Sequence, residues 1–322
     1  MGATLSTCAG HTASASLVGA DSTISAPYPV RRGRLTSVTM ADAARIAFQI
    51  SLFVVILGYG LTVRFADVTY LLRLPDLLAR SLLSVLVIAP VIAAVLVGVL
   101  DLRPQVAIAL VTLAISPLPP LLPRRGEKAG GRAQYGLGLV MVLAVLAVPV
   151  IFVAASLMGR VFGRQYVASP WAIAELMLMS VLAPLVAGMV IRARWPRFAA
   201  RIEGPIDRVQ RLALPVAMVV LLIAAAPSMW KLLGESTLVA MVLFVGSTLV
   251  VGHVLGGPER QSSAVLAFAS SCRHPATALT IASANFPNAD EHGAVALYGL
   301  VTAVIGALYS FWMRRHAATP PA

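Results

Sequence analysis

The sequence predicts an all-α integral membrane protein of about nine transmembrane helices, two of them interrupted. Three observations carry this. The chain has 322 residues, of which 59% are hydrophobic and only 12% charged, with a mean hydropathy of +0.87, whereas soluble domains run at about 45–50% apolar and 25% charged. The apolar share, about 190 residues, suffices for roughly nine spans of about 20 residues each. The apolar runs are rich in Leu, Val, Ala and Ile without period-two alternation, which favours helices over a transmembrane barrel. Few charges remain to cover the surface of a soluble enzyme or to keep a chain unfolded.

Taken in order, residues 1–43 read as a disordered tail, because the stretch to residue 39 is rich in Ser, Thr, Ala and Gly and lacks a long apolar run. Met1-Gly2-Ala3-Thr4-Leu5-Ser6 matches the short myristoylation pattern, and Met40 is an alternative start. Nine apolar segments follow, at about 44–63, 77–100, 105–122, 134–157, 171–191, 212–230, 236–256, 261–285 and 293–313. They divide into a first repeat of four helices (44–157) and a second of five (171–313). A basic stretch within 158–211 links them, and 314–322 forms a short tail.

The net charge of +12 follows topology rather than nucleic acid, since Arg and Lys sit in short loops and no aromatic-plus-basic motif accompanies them. Loops 64–76, 123–133 and 192–211, with Arg260, Arg314 and Arg315, hold 15 Lys and Arg; the opposite set holds 8, or 5 counted from Met40. The positive-inside rule therefore puts the C-terminus in the cytoplasm and the N-terminus outside, with the basic loops against anionic headgroups. Cys8 and Cys272 lie far apart, which argues against a disulfide framework or a Cys-rich metal site. An enzyme is not expected: neither a His-Glu-x-x-His pair nor an intramembrane Asp pair is present.

Segments three and eight differ from the rest. Segment three ends with Ser116, Pro117, Pro119, Pro120 and Pro123, and no helix persists through that proline density. Segment eight carries Ser270-Ser271-Cys272-Arg273-His274-Pro275-Ala276-Thr277 near its middle. Backbone groups freed at membrane depth need protein or water partners, so both breaks should line a cavity. Broken helices at matching positions in two halves point to a transporter binding site. The positions match if the first half lacks its opening helix, the second half then being inverted relative to the first.

Arg273 costs about 2.5–3.5 kcal/mol at a helix centre, so it faces a cavity or a partner. It serves either as a clamp on an anion or in a structural pairing, with Glu175 or with carbonyls freed at the crossover. His274 is either a proton-coupling group or a neutral imidazole bonded to broken backbone. Ser116, Ser270, Ser271 and Thr277 offer hydroxyls to a substrate or to their own helices. Pro117, Pro119, Pro120 and Pro275 act as the helix breakers. Arg124, Arg125 and Lys128 form a cytoplasmic anion gate or a topogenic loop.

The run from Ala269 to Phe286, ending Ala276-Thr277-Ala278-Leu279-Thr280-Ile281-Ala282-Ser283-Ala284-Asn285-Phe286, resembles the second crossover helix of the bile acid:sodium symporter family. Gly58-Tyr59-Gly60-Leu61-Thr62, followed by Asp67, is similar to that family's Gly-x-Gly-Leu segment, and Pro117 stands where its Cys-Pro-Gly-Gly stretch begins. The resemblance covers about residues 45–313. It implies a fold of inverted repeats with two crossing broken helices, a plasma (bacterial inner) membrane location, and transport of a small organic anion by alternating access. The chain departs from the family at the ion sites. Pro119-Pro120-Leu121-Leu122 replaces a Ser-Asn pair, Ala269 or Ser270 an acidic residue, and Arg273-His274 a Gln-Asn pair. Sodium needs oxygen ligands, so sodium coupling is disfavoured and proton coupling through His274 stays open. No other cofactor is expected. A non-transporting sensor or scaffold of the same fold, or an arsenite-type permease using Cys272, is the alternative.

Overall fold

A computed structural model describes residues 40–62, 69–116, 121–162, 171, 175, 178–285 and 292–317. Residues 1–39, Asp67, Pro117, Pro119 and Pro120 lie outside the described residues, while residues 40–43, expected as the end of the disordered tail, are the first turn of a helix.

The described chain is helical, with no strand among the described residues. Helix α1 (Met40–Thr62) leads into a short 3-10 turn, Leu71–Arg73, and then α2 (Pro75–Val99). Within α2 the stretch Leu83–Ile88 is π-helical and precedes Pro90. The first interrupted helix begins with α3 (Pro104–Ile115) and resumes as α4 (Leu122–Lys128), followed by α5 (Ala133–Phe162). A second π-turn, Leu178–Leu182, precedes α6 (Ala183–Arg194), and α7 (Pro196–Leu232) follows after the single residue Trp195. Then come α8 (Glu235–Leu255), the two halves α9 (Arg260–Ser271) and α10 (Pro275–Asn285) of the second interrupted helix, and α11 (His292–Ala317).

Proline sets many of these starts. Pro75, Pro104, Pro196 and Pro275 stand at the beginning of their helices, where a missing N–H is no loss and φ is already helical. Helix occupies most of the described part of each of the nine apolar segments. Among the described residues three helices, Pro75–Val99, Ser236–Leu255 and Gly293–His316, are long and apolar enough to cross a membrane. On α2 a stripe of Leu83, Val87, Val91, Val95 and Val99 lies exposed at four-residue spacing, the side such a helix turns to lipid.

Two stretches expected as basic loops are helical instead. Residues 192–211 belong almost wholly to α6 and α7, and α7 runs 37 residues, about 55 Å. Residues 123–128 lie in α4, whose Leu122, Pro123 and Gly126 are buried. The charged residues of 192–211 are mostly exposed, so they decorate a helix without ending it.

The two interrupted helices pack on each other in opposite order: α3 lies against α10, and α4 against α9. Around them α1 packs on α6 and α7, α8 on α9, and α7 on α11. Two of these contacts are backbone against backbone. A Cβ on Gly60 would strike the Leu185 carbonyl and one on Gly188 the Leu57 carbonyl, while Gly252 and Gly256 of α8 meet Leu266 and Ser263 of α9 in the same way. Small residues permit this approach between helices that lack a hydrophobic drive to associate in lipid.

Polar contacts gather the loops counted together above. Arg132 donates to Tyr70 Oη at 2.8 Å and to Gln261 Oε1 at 2.7 Å, Arg260 donates to the Met313 carbonyl at 3.2 Å, and Arg124 to Asp207 Oδ1 at 3.0 Å. At the loops of the other set Arg103 donates to the Lys231 carbonyl at 2.6 Å.

Candidate functional site

Both breaks share a local grammar. Ser116 precedes Pro117 and is extended, with φ −77° and ψ 140°. Helix α9 likewise stops at Ser271, Cys272 is extended with φ −90° and ψ 136°, and His274 precedes Pro275. The ring of a proline disfavours helical backbone in the residue before it, which accounts for the stop of α3 ahead of Pro117 and for the non-helical His274, whereas α9 has already ended with three residues left before Pro275.

The groups freed at the second break are largely satisfied. Tyr298 Oη of α11 donates to the Ser271 carbonyl at 2.6 Å. His274 caps α10: its Nδ1 accepts the Thr277 N–H at 3.2 Å, and its carbonyl accepts the Ala278 N–H at 3.1 Å. An accepting Nδ1 fixes the neutral tautomer with the proton on Nε2. That Nε2 is buried and finds no hydrogen-bond partner among the described residues.

Arg273 is buried, 3% exposed, and its Nη2 donates to the Val85 carbonyl of α2 at 3.1 Å. Its Nε is buried with no hydrogen-bond partner among the described residues. Among the described residues no carboxylate forms an ion pair with it, and Glu175 is exposed. Of the structural pairings open to Arg273, the one realised is to neither Glu175 nor a crossover carbonyl but to a carbonyl of α2's π-turn.

Arg125 of α4 reaches the same place. Its Nη1 donates to Cys272 Sγ at 3.1 Å, and Cys272 is a buried free thiol. Arg125, Cys272, Arg273, His274, Pro275 and Thr302, with apolar Leu52, Leu121 and Met218, line a cavity of about 50 Å³. That volume holds a few waters or a small head group and is well below the roughly 150 Å³ that takes a benzene ring.

Arg273, His274 and Pro275 therefore meet at one cavity. The hydroxyls of three other residues singled out in the sequence are engaged: Ser270 Oγ with Ser84 Oγ at 2.6 Å, Ser271 with the Ala267 carbonyl at 2.9 Å, and Ser116 with the Leu113 carbonyl at 2.8 Å. Thr277 Oγ1 is buried without a hydrogen-bond partner among the described residues. Pro117, Pro119 and Pro120 fall outside the described residues. Nothing in the sequence pointed directly to Tyr298, Thr302 or the Val85 carbonyl, and Arg125 stood with Arg124 and Lys128 as part of an anion gate or a topogenic loop.

At the edge of the site, Arg211 Nε donates to Asp207 Oδ2 at 2.9 Å while Arg124 holds Oδ1. Arg211, through this hydrogen bond, and Arg124, by its charge, keep the Asp207 carboxyl below its usual pKa.

An all-helical chain with membrane-crossing helices and two interrupted helices packed at a cationic cavity has the build of a multi-pass membrane transporter. The model of the sodium bile acid symporter family matches residues 49–232, more than half of the chain, and the chain belongs to that family. Its members are transporters rather than enzymes. No curated protein matches the chain. The matched residues include Arg125 and all of α2, and end before α9 and α10.

Proposed function

We propose that the protein is a secondary transporter of a small organic anion, working by alternating access around the two interrupted helices. One observation carries it: Arg125 and Arg273, from different interrupted helices, line one cavity, and no carboxylate of the described residues pairs with either. A buried cation and a part-buried one without a carboxylate counter-ion are costly, and a carboxylate or sulfonate entering between them supplies the missing charge. The half-helix α10 begins at the cavity wall with Pro275, so its N-terminal dipole adds positive potential there.

Sodium coupling at the family's positions is disfavoured, since the Arg273 guanidinium offers sodium no ligand and the His274 Nδ1 lone pair is taken by the Thr277 N–H. A proton on His274 is the alternative coupling, because it would remove the lone pair that caps α10. The topology proposed is nine spans in two inverted repeats within a plasma membrane, N-terminus outside, C-terminus in the cytoplasm. The contacts gathering the Arg-rich loops support it. A second reading, an arsenite-type permease, is favoured by one observation, the Cys272 thiol in the cavity wall.

The test is the melting temperature of the purified full chain against acetate, pyruvate, methanesulfonate, cholate and arsenite, each in sodium and in choline at two pH values. Specific binding raises apparent stability by mass action. A shift with pyruvate or methanesulfonate that does not need sodium supports the proposal. A shift seen only in sodium overturns its coupling, and a shift with arsenite alone favours the thiol site.

A further inference from the structure

We propose that Pro90, which lies in the apolar span α2 and is not among the residues lining the cavity, is a positioning residue for Arg273. In the π-turn of α2 the Ala89 N–H bonds to the Ser84 carbonyl, five residues back. The next donor in that ladder would be the N–H of residue 90, and its acceptor would be the Val85 carbonyl. Residue 90 is proline and has no N–H. The Val85 carbonyl is left over within its own helix, and that carbonyl takes the Arg273 guanidinium, 188 residues away.

The arrangement fixes more than one torsion. Ser84, the neighbour of Val85, is hydrogen-bonded to Ser270 of α9, so the π-turn is seated on the second interrupted helix both within the break and just before it. With Nη2 engaged by Val85, Arg273 keeps its unpartnered Nε as a donor. A proline one helix away thus decides where a buried cation rests. The binding arm of this proposal depends on Arg273 being the anion clamp proposed above; the stability arm does not.

The experiment is a double-mutant cycle in the full-length protein in detergent, with Pro90→Ala, Arg273→Met and the double variant. In the wild-type background, Arg273→Met strips the Val85 carbonyl of its donor, whereas in the Pro90→Ala background the N–H restored at position 90 replaces it. The melting-temperature loss caused by Arg273→Met is expected to be smaller in the Pro90→Ala background by about 3–6 °C. Equal losses in both backgrounds overturn the proposal. Hydrogen exchange supplies a direct reading: the new amide at position 90 of the Pro90→Ala variant is expected to be protected, and free exchange there counts against the proposal. Pro90→Ser provides the same N–H should Pro90→Ala fold poorly.

For binding, methanesulfonate is the probe. Pro90→Ala is expected to weaken its Kd by about tenfold, the value of one hydrogen bond to a charged group, with the melting temperature of the free protein held or raised. Wild-type affinity in Arg273→Met sinks the anion-clamp reading while leaving the stability arm intact. Lost affinity in Arg273→Met with none lost in Pro90→Ala sinks the positioning proposal alone.

Discussion

Arg125 Nη1 and Cys272 Sγ are 3.1 Å apart, although 147 residues separate them in the chain. This contact joins the C-terminal half of the first interrupted helix to the break in the second. It draws a cation from the stretch Pro123-Arg124-Arg125-Gly126-Glu127-Lys128 into the cavity, while its neighbour Arg124 turns outward to Asp207. Adjacent arginines on one short helix thus serve opposite purposes.

Arg125→Gln and Arg273→Gln are each expected to weaken anion affinity by tenfold or more, since each removes one of the two charges facing the ligand. Titration by thermal shift with methanesulfonate checks this. Arg124→Gln is the control, and its affinity should change far less.

The cap on α10 predicts different outcomes for two substitutions of His274. Asn, a strong N-cap residue, keeps an acceptor for the Thr277 N–H; Leu does not. His274→Leu should cost about 1 kcal/mol of stability and His274→Asn much less, as read from chemical denaturation in detergent. If both lose the same, the cap contributes nothing. Should transport depend on pH through His274, His274→Asn abolishes that dependence.

Gly60→Val should destabilise the protein strongly, by about 3 kcal/mol or more, because its side chain would occupy the space of the Leu185 carbonyl. Gly98 in α2 has open space where a Cβ would stand. Gly98→Ala is therefore expected to be neutral or stabilising by a few tenths to about 1 kcal/mol. Melting temperatures of the two variants side by side decide it, and equal effects would refute the packing argument.

Asp207 makes stability depend on pH with a definite sign. Its pKa in the folded chain is depressed, by the Arg211 hydrogen bond and then by the charges of Arg211 and Arg124, below the ordinary value of 3.8. The contribution is present above that ordinary value and is lost as the pH falls through the lower folded one. Asp207→Asn should flatten the acid limb of a melting-temperature profile and leave the profile above pH ~6 parallel to wild type. The effect is small, because the carboxylate is 42% exposed.

Composition and proline placement made the helical membrane class legible. Arg273 and His274 stood out because a charge and an imidazole inside an apolar run need a reason. Other parts were hidden for physical causes. A backbone carbonyl has no letter in the sequence, so the part played by Val85 was invisible. Arg125 stands in a basic cluster just after the first break, and nothing local reveals that α4 packs on α9. Residues 192–211 read as the linker between repeats because they contain six arginines with Glu203 and Asp207, yet charged side chains that stay mostly exposed do not end a helix, and the stretch lies almost wholly within α6 and α7.

The glycine contacts divide the molecule into welds and joints. Where Gly60 meets Gly188, and where Gly252 and Gly256 meet α9, main chain rests on main chain, and such seams have no rotamers to exchange. Helices α1 and α6 accordingly form one stiff pair and α8 and α9 another. Three contacts that α2 and α7 make with the interrupted helices are of the other kind, single side chains reaching across: Arg273 to Val85, Ser84 to Ser270, Arg124 to Asp207. A change of rotamer can break such a contact but not a main-chain seam, and two of the three lie beside the cavity's buried arginine.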